Sequence, residues 1–477
     1  MQLTDLGDEP PRLLKFGLEG PLVRRVMALG TWVMLAMITQ FFVNAADNFM
    51  VGRLDDHKLA TASQAALGLG MPFFWAVGGF FCAVAFGTQA MTARRYAEGD
   101  HARAGQVLWN SLLVATIAGI FGGFLGWFTT PAAIDFLARA SPEQAELGVA
   151  YARMRMFGIP AMVLTFSYKA FFDGIGRTRV HLYAALVMNL LNIGLNYLFI
   201  YGSPGLGIPA MALTGAGLAS AISTYVGLAI MFAISLGPAS RRYDFYRWAH
   251  TRGSIIRDLI RLMLPSGSAT VILMIGFMLF MRFVGEIDAK VGGNTYSAAT
   301  KALMDTASMC FMPVIALGTA TATAVSQSLG AGKPNLAARY GWESVRLGVY
   351  AMFVVAAIFL TFPEQILRIW APNDPAVAAA GADALRFVAA GLPALVVGLV
   401  LSQALYGAGA NTFVMVVEGL LHFGVLVPLS WLLGPKLGYG LDGVWLAAAI
   451  YTNLMGLAMA LKFLGHGWRN IRLCPPP

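Results

Sequence analysis

Twelve stretches of predominantly apolar residues, each long enough to cross a lipid bilayer, constrain this chain more than any other feature. A helix needs about 20 such residues to span the hydrocarbon core. The stretches lie at 26–51, 62–90, 107–129, 149–171, 181–202, 210–236, 260–284, 296–324, 341–362, 384–406, 413–434 and 442–464. They are continuously apolar, whereas the strands of a membrane barrel alternate apolar with polar residues. The sequence therefore predicts an all-α membrane protein with twelve transmembrane helices.

Composition excludes several classes of protein. Hydrophobic residues make up 58% of the chain and charged residues 12%, against about a quarter charged in soluble domains. A soluble enzyme and a disordered chain are thereby excluded. The three cysteines, Cys82, Cys310 and Cys474, have neither metal-type nor disulfide-type spacing. We interpret the net charge of +9 as basic loops facing an anionic leaflet, and we expect no nucleic-acid partner.

Lysine and arginine residues predict the orientation of the spans. With both chain ends in the cytoplasm, 21 of them fall on that side and ten on the opposite side, including Arg153 and Arg155. Cytoplasmic loops of membrane proteins carry the excess of basic residues. We therefore expect a multi-pass protein of an inner or plasma membrane with both termini cytoplasmic. The largest basic group, at 241–261, separates six spans from six.

The two groups of six spans are copies of each other. An offset of 233 residues pairs Trp109 with Trp342 and Pro160 with Pro393, and after a shorter loop the offset becomes 228. Copies with six spans each share one orientation, an architecture that places a central cavity between two lobes. The predicted parts are a cytoplasmic leader (1–25), an amino-terminal lobe (26–238), a linker (239–259), a carboxyl-terminal lobe (260–464) and a tail (465–477).

Asp47 is the ionisable residue that most strongly indicates function. A charged side chain within the bilayer is costly unless it is paired or hydrated, and it marks a functional site by default. Asp47 follows the apolar run 33–43, and Asn44 lies one turn before it. No cation lies within the same helix, so a proton or cation could bind there. The alternative is a buried aspartate that bonds to backbone donors.

Three asparagines share one face of the fifth span. Asn189, Asn192 and Asn196 are spaced i, i+3, i+7, which stacks their amides on one side of a helix. Asn192 and Asn196 offer hard oxygen ligands suited to Na⁺. Hydrogen bonding between helices would use the same residues.

Ionisable residues also occur in the second half. Two pairs spaced i, i+4 can neutralise each other: Lys301 with Asp305, and Arg282 with Glu286. Glu418 and His422 share a face of the eleventh span and could relay protons. The alternative for them is a satisfied structural pair.

The sequence contains no motif of an enzyme or of a nucleotide-driven pump. It has no H-E-x-x-H, no G-x-S-x-G and no Walker loop. We therefore predict a protein that is not an enzyme and has no cofactor, and an ion gradient remains as the energy source for transport.

At these residues the sequence resembles the multidrug and toxic compound extrusion (MATE) family over nearly all of the chain after the leader. The motifs occur in order and in both halves. They are Asp47-Asn-Phe-Met-Val-Gly52-Arg53, the stretch Gly87–Ala104, Asp173-Gly-Ile-Gly-Arg-Thr178, Asn192-Ile-Gly-Leu-Asn196, Gly215-Ala-Gly-Leu-Ala-Ser220, Leu329-Gly-Ala-Gly-Lys-Pro334 and Tyr406-Gly-Ala-Gly-Ala-Asn-Thr412.

The resemblance implies a V-shaped, two-lobed antiporter that exports cationic or amphiphilic compounds in exchange for Na⁺ or H⁺. It implies a cation or proton site formed by Asp47, Asn192, Asn196 and Ser220. One of the two asparagines is an aspartate in some members. No metal other than Na⁺ at Asp47 is expected.

The resemblance also places Gln40 at a substrate-facing position, and we assign Asn44 and Asn189 to the same cavity. Some family members carry a second cation site in the carboxyl-terminal lobe, but the aligned positions here, near Leu273 and Leu395, are apolar. The candidates to replace that second cation site are three residues of the carboxyl-terminal lobe: Asp305, Glu418 and His422.

The alternative function is a flippase for lipid-linked oligosaccharides or peptidoglycan precursors, from the same superfamily. It should show a strongly cationic cavity, for which Arg282 and Lys301 are the candidates. The sequence does not decide between Na⁺ and H⁺. A two-lobed chain forms its own cavity, so we expect a monomer.

Overall fold

The computed structural model describes residues 6–11, 16–137, 142–372 and 374–473. The ends of the predicted leader and tail, with Cys474, lie outside the described residues. Eight helices form the first half: α1 (Gly20–Val51), α2 (His57–Cys82), α3 (Val84–Ala97), α4 (His101–Leu137), α5 (Pro142–Phe157), α6 (Ile159–Gly174), α7 (Arg179–Tyr201) and α8 (Ala212–Leu236). Helices α2 and α3 continue as one 41-residue span.

The second half also contains eight helices. They are α9 (Gly253–Val291), α10 (Thr295–Gly330), α11 (Pro334–Thr361), α12 (Pro363–Trp370), α13 (Pro375–Ala408), α14 (Asn411–Leu421), α15 (Val427–Trp431) and α16 (Gly440–Leu464). Two π-helical turns, His422–Leu426 and Leu432–Lys436, flank α15. Together with α14 they make one span of 26 residues, Asn411–Lys436.

The predicted twelve-span, all-α fold is confirmed. Within the described residues, eleven helices are long and apolar enough to cross a membrane, and the twelfth span is the α5–α6 pair, bent by 47°. Backbone groups have no water to bond in hydrocarbon, and continuous helices satisfy them internally. At the bend, Pro160 lacks the N–H that would continue the helical hydrogen bonds.

The helix starts follow the sequence repeat. Corresponding helices begin at Gly20 and Gly253, His101 and Pro334, and Pro142 and Pro375, all at an offset of 233, and at Ala212 and Gly440, at an offset of 228. Two boundaries differ from the prediction. Helix α1 begins at Gly20, inside the predicted leader, and α9 begins at Gly253, so the linker ends at 252 rather than 259.

The chain forms two compact units that do not follow chain order. One unit contains Trp32–Val271, and the other contains the described part of Met1–Thr31 together with Ile272–Arg472. The first part of α1 packs on α10, where a Cβ on Gly30 would lie 3.4 Å from Ala320 Cβ. The first part of α9 packs on α2, where a Cβ on Gly267 would lie 2.6 Å from Phe80 O. The predicted lobes, 26–238 and 260–464, therefore differ from these units at α1 and α9.

The described part of the leader is bound to the start of α11. Asp8 Oδ1 accepts a hydrogen bond from the Leu336 N–H at 2.8 Å, and Lys333 Nζ donates to Leu6 O at 2.7 Å. Arg339 forms an ion pair with Glu19. Lys333, the residue before α11, makes no side-chain cap, so Asp8 supplies the helix with its capping carboxylate.

Candidate functional site

Asp47 lies near the end of α1 and is only 3% exposed. Asn196 Nδ2 donates a hydrogen bond of 2.5 Å to Asp47 Oδ1. No backbone N–H among the described residues bonds to the carboxylate, and its second oxygen, Oδ2, accepts no hydrogen bond from them. The alternative of an aspartate satisfied by backbone donors is therefore not what the structure shows.

Asn192 connects Asn196 to Ser220 of α8, and its amide fits the site with either assignment of its oxygen and nitrogen. In one, Nδ2 donates to Ser220 Oγ at 3.2 Å and Oδ1 accepts from Asn196 Nδ2 at 3.1 Å. In the other, the nitrogen donates to Asp47 Oδ1 at 3.2 Å and the oxygen accepts from the Ser220 backbone N–H at 3.3 Å. Either orientation joins the four residues of the predicted site into one polar cluster.

The carbonyl oxygen of the Asn196 side chain is buried and has no hydrogen-bond partner among the described residues. Leaving a buried acceptor unpaired costs about 1–3 kcal/mol. A bound cation would satisfy Asn196 Oδ1 directly, and a protonated Asp47 would offer it an O–H donor. The donor set therefore fits an ion or a proton.

The polar cluster occupies one layer of the unit. A neighbouring hydrophobic cluster includes Val51 (α1), Tyr151 (α5), Ile200 (α7) and Ala216 (α8). Four residues stand one helical turn, four positions, from these: Asp47, Arg155, Asn196 and Ser220. Helices α1 and α7 cross in the direction opposite to α5 and α8. A step of four residues back along α1 and α7, and of four residues forward along α5 and α8, therefore leads to the same level.

Arg155 is a site residue that the sequence analysis missed. Its guanidinium carbon lies 4.1 Å from the centroid of the Phe74 ring, and the charge is close enough to Asp47 to interact with it electrostatically. No ion pair within 4.0 Å joins the two among the described residues. The charge count places Arg155 on the opposite membrane side, whereas its position inside the 149–171 span indicates a residue within the membrane.

Tyr151 also belongs to this neighbourhood. It is 1% exposed, and its hydroxyl has no hydrogen-bond partner among the described residues. The hydroxyl lies close enough to Asp47 and Arg155 to interact electrostatically with both. Tyr151 is therefore a further polar group of α5 beside the cluster.

The three predicted cavity residues lie further along α1 and α7. Gln40 Nε2 donates to Asn44 Oδ1 at 3.3 Å, and Asn189 Nδ2 donates to Thr39 Oγ1 at 2.9 Å. The first bond links neighbouring turns of α1, and the second links α7 to α1. Neither bond involves Asp47. Their assignment to a substrate cavity remains a prediction.

The second-half candidates are not brought together. Arg282 and Glu286 form the predicted ion pair at 3.4 Å. Lys301 and Asp305 form none within 4.0 Å. His422 Nδ1 lies 2.9 Å from the backbone oxygen of Glu418. Among the described residues, no three His, Cys, Asp or Glu side chains are close enough together to hold a metal ion.

Twelve helical spans in two related halves, with a carboxylate buried among amides in one unit, define a multi-pass membrane transporter. The family model MatE matches residues 33–198 and 265–432, most of each half. The chain belongs to the MATE family of multidrug efflux transporters. This membership makes it a transporter rather than an enzyme.

Relatives with related names match along almost their whole length. The chain is 27% identical over 462 residues to the multidrug resistance protein PmpM of Pseudomonas aeruginosa, covering 94% of this chain and 93% of that protein. It is 28% identical over 473 residues to a probable multidrug resistance protein NorM of Pseudomonas putida, with 96% and 94% covered.

Solved structures show the same fold. An outward-facing multidrug resistance MATE transporter superposes with a TM-score of 0.81 at 21% identity, covering 94% of this chain and 96% of that one. A transporter of the MOP superfamily from Pyrococcus furiosus superposes with a TM-score of 0.80 at 22% identity, with 96% and 98% covered. At these identities the likeness concerns the fold alone, and it confirms the predicted two-lobed architecture.

Proposed function

We propose that this protein is a secondary active antiporter that exports cationic or amphiphilic drugs in exchange for Na⁺ or H⁺ by alternating access. The observation that carries the proposal is the Asp47 cluster. Asp47 lies within a span and is 3% exposed. One of its carboxylate oxygens accepts a hydrogen bond from Asn196, and the other accepts none from the described residues. A charged group in that position is costly unless it binds something.

The first step is binding of the cation or proton between Asp47 Oδ2 and the unpaired Asn196 Oδ1. Binding neutralises the carboxylate, and a protonated Asp47 becomes a donor where it had been only an acceptor. The hydrogen bonds of Asn192 and Ser220 then rearrange, which shifts α7 and α8 relative to α1. Drug and ion each weaken the other's binding by the same factor, as reciprocal coupling requires.

Arg155 favours H⁺ over Na⁺ as the coupling ion. Its positive charge offsets that of Asp47, so the cluster attracts a Na⁺ ion weakly, and a hard cation also needs several oxygen ligands. A proton forms a covalent O–H bond on the carboxylate and needs no ligand shell. Asn192 and Asn196 are neutral, so the four residues of the cluster contain no second carboxylate to compensate for Arg155.

We further propose an inner or plasma membrane location with both termini cytoplasmic, and a monomer as the working unit. The excess of basic residues on the side of the termini supports the orientation. The monomer is supported by the fact that residues of this one chain form the contacts described within each compact unit.

Drug susceptibility of cells that lack their own efflux pumps tests the proposal. Wild type should raise resistance to cationic dyes and antibiotics, and Asp47→Asn should abolish that resistance at equal expression. Asp55→Asn is the matched control, because Asp55 is exposed in the loop after α1, and it should behave as wild type. Resistance retained by Asp47→Asn would refute the proposed role of the cluster.

A further inference from the structure

Glu418 is an isolated, partly buried carboxylate of the carboxyl-terminal unit. It is the only acidic residue of the span Asn411–Lys436, and it lies seven residues, about 10 Å, along the helix axis from Asn411. No ion pair and no side-chain hydrogen bond to Glu418 is formed by the described residues. The cost of a bare carboxylate at this depth is removed when it takes up a proton.

His422 stands one turn further along the same face and is 2% exposed. Its Nδ1 lies 2.9 Å from the Glu418 backbone oxygen, and a carbonyl can only accept, so Nδ1 carries the hydrogen. The other nitrogen, Nε2, is then free to receive a proton. The ring thus bonds to the backbone and not to the Glu418 carboxylate, which leaves the carboxylate without a bond to the imidazole.

The surroundings hold the imidazole in this position. A Cβ on Gly276 of α9 would lie 2.6 Å from His422 Cδ2, so only glycine allows the α9 backbone to approach the ring. Tyr451 of α16 also contacts the imidazole, with ring centroids 4.6 Å apart. The π-helical turn begins at His422, and Pro428, which lacks an N–H, follows it. Such turns are frequent at functional sites.

The ionisable groups around the pair are few. Tyr406 of α13 and Tyr451 of α16 are close enough to interact electrostatically with Glu418. The α9 contact is glycine. Lys462 of α16 touches α14 at the Phe413 ring, 4.6 Å from its centroid, more than one turn before Glu418. No cation among the described residues therefore neutralises the carboxylate directly.

We propose that Glu418 and His422 form a second proton-binding site, in which Glu418 takes up the proton and His422 exchanges it through Nε2. The site takes a proton and not a metal ion, because it offers one carboxylate and otherwise rings and backbone, whereas hard cations need several oxygen ligands. The inference rests on the proposed proton-coupled export, and it adds a second exchange site in the other unit.

Infrared titration of the purified full-length protein in lipid tests for the proton directly. The C=O stretching region of protonated carboxyls should contain a component band in wild type that is missing in Glu418→Gln and kept in Asp47→Asn. The matched control is Glu364→Gln, because Glu364 is half exposed and paired with Arg368 at 3.7 Å, and it should keep the band. His422→Gln should keep the band but change the pH at which it appears, and it provides a second variant should Glu418→Gln fail to fold.

Transport stoichiometry distinguishes a proton site from a structural role. In proteoliposomes clamped at zero membrane potential, the dye accumulates to a steady ratio set by the pH gradient and the number of protons exchanged. Losing one proton should lower that ratio about tenfold for a gradient of about one pH unit. Glu418→Gln should show this loss, whereas Glu364→Gln should keep the wild-type ratio.

Two outcomes would overturn the inference: a protonated-carboxyl spectrum in Glu418→Gln that is identical to that of wild type, or an accumulation ratio equal to that of wild type. The test is independent of Asp47, because the Glu418 band should remain in Asp47→Asn. Transport that survives Asp47→Asn would refute the proposed function while leaving the band of Glu418 to be judged separately.

Discussion

The two halves of this chain arose from one repeat, yet they bury their ionisable residues at different depths. At an offset of 233 residues, Asp47 of α1 corresponds to Phe280 of α9, and at 228 Ser220 of α8 corresponds to Ala448 of α16. Phe280 packs against Trp445 with ring centroids 5.3 Å apart. The place of the amino-terminal polar cluster is therefore occupied by hydrophobic core in the second half.

The reverse holds for the carboxyl-terminal pair. Glu418 and His422 correspond to Ala185 and Asn189 of α7, and Asn189 bonds to Thr39 of α1. The repeat thus preserved where the helices begin, because span length is set by the membrane. The positions of these buried polar residues differ between the halves, because a packed helix can carry a polar residue on any turn that faces the protein interior.

The largest effect is expected from removing the Asp47 partner. Asn196→Leu keeps the side-chain size but leaves Asp47 Oδ1 without its donor, which costs about 1–3 kcal/mol. We expect dye transport to fall by about tenfold to a hundredfold, measured in proteoliposomes. Asn453→Leu is the carboxyl-terminal control, because Asn453 is exposed on α16. Equal losses in both variants would contradict a special role for the amino-terminal cluster.

A pair of glycine substitutions compares packing in the two units. Gly276→Ala places a methyl group 2.6 Å from His422 Cδ2, whereas Gly194→Ala on α7 meets nothing within 4 Å. Overpacking costs about 1–3 kcal/mol, so Gly276→Ala should lower the thermal unfolding temperature of the purified protein. Gly194→Ala should leave it unchanged. The same temperature for both variants would show that the α9 backbone does not press on His422.

A smaller effect is expected from Arg155. Replacing it with glutamine removes the positive charge facing Asp47, and we expect Na⁺ to compete for the cluster about fivefold more tightly, or about 1 kcal/mol. Inhibition of dye binding by Na⁺ measures this. Arg153→Gln is the matched control, since Arg153 lies over the Trp127 ring at 5.4 Å. Unchanged Na⁺ competition in Arg155→Gln would remove the argument for H⁺.

The smallest effect concerns the leader. Asp8→Ala removes the carboxylate that caps α11, for an expected loss of about 0.5–1 kcal/mol. Glu9→Ala is the control, because Glu9 is exposed beside it. Thermal unfolding of the two variants gives the comparison, and a control as unstable as Asp8→Ala would argue against capping.

The sequence predicts the spans and their duplication well, because hydrophobic length and a fixed offset survive in one dimension. The quartet around Asp47 came from the resemblance to a family, and the polar face of α7 alone left its use open. Arg155 was missed because its charge was assigned to a loop. The first part of α1 belongs to the unit formed mainly by the second half, and the first part of α9 belongs to the unit formed mainly by the first half. This arrangement depends on close helix contacts at Gly30 and Gly267, which hydrophobic periodicity does not reveal.

The π-helical turn at His422 was equally invisible, because one inserted residue barely disturbs an apolar run. The docking of the leader depends on backbone groups, such as Leu6 O and the Leu336 N–H, that every sequence carries. Both features required the folded chain.

The most direct test of the central claim is dye transport by the purified protein in proteoliposomes, with a pH gradient or a Na⁺ gradient imposed alone. The account predicts flux driven by the pH gradient that is lost in Asp47→Asn and kept in Asp55→Asn. Undiminished flux in Asp47→Asn, or no flux of wild type under either gradient, would contradict it.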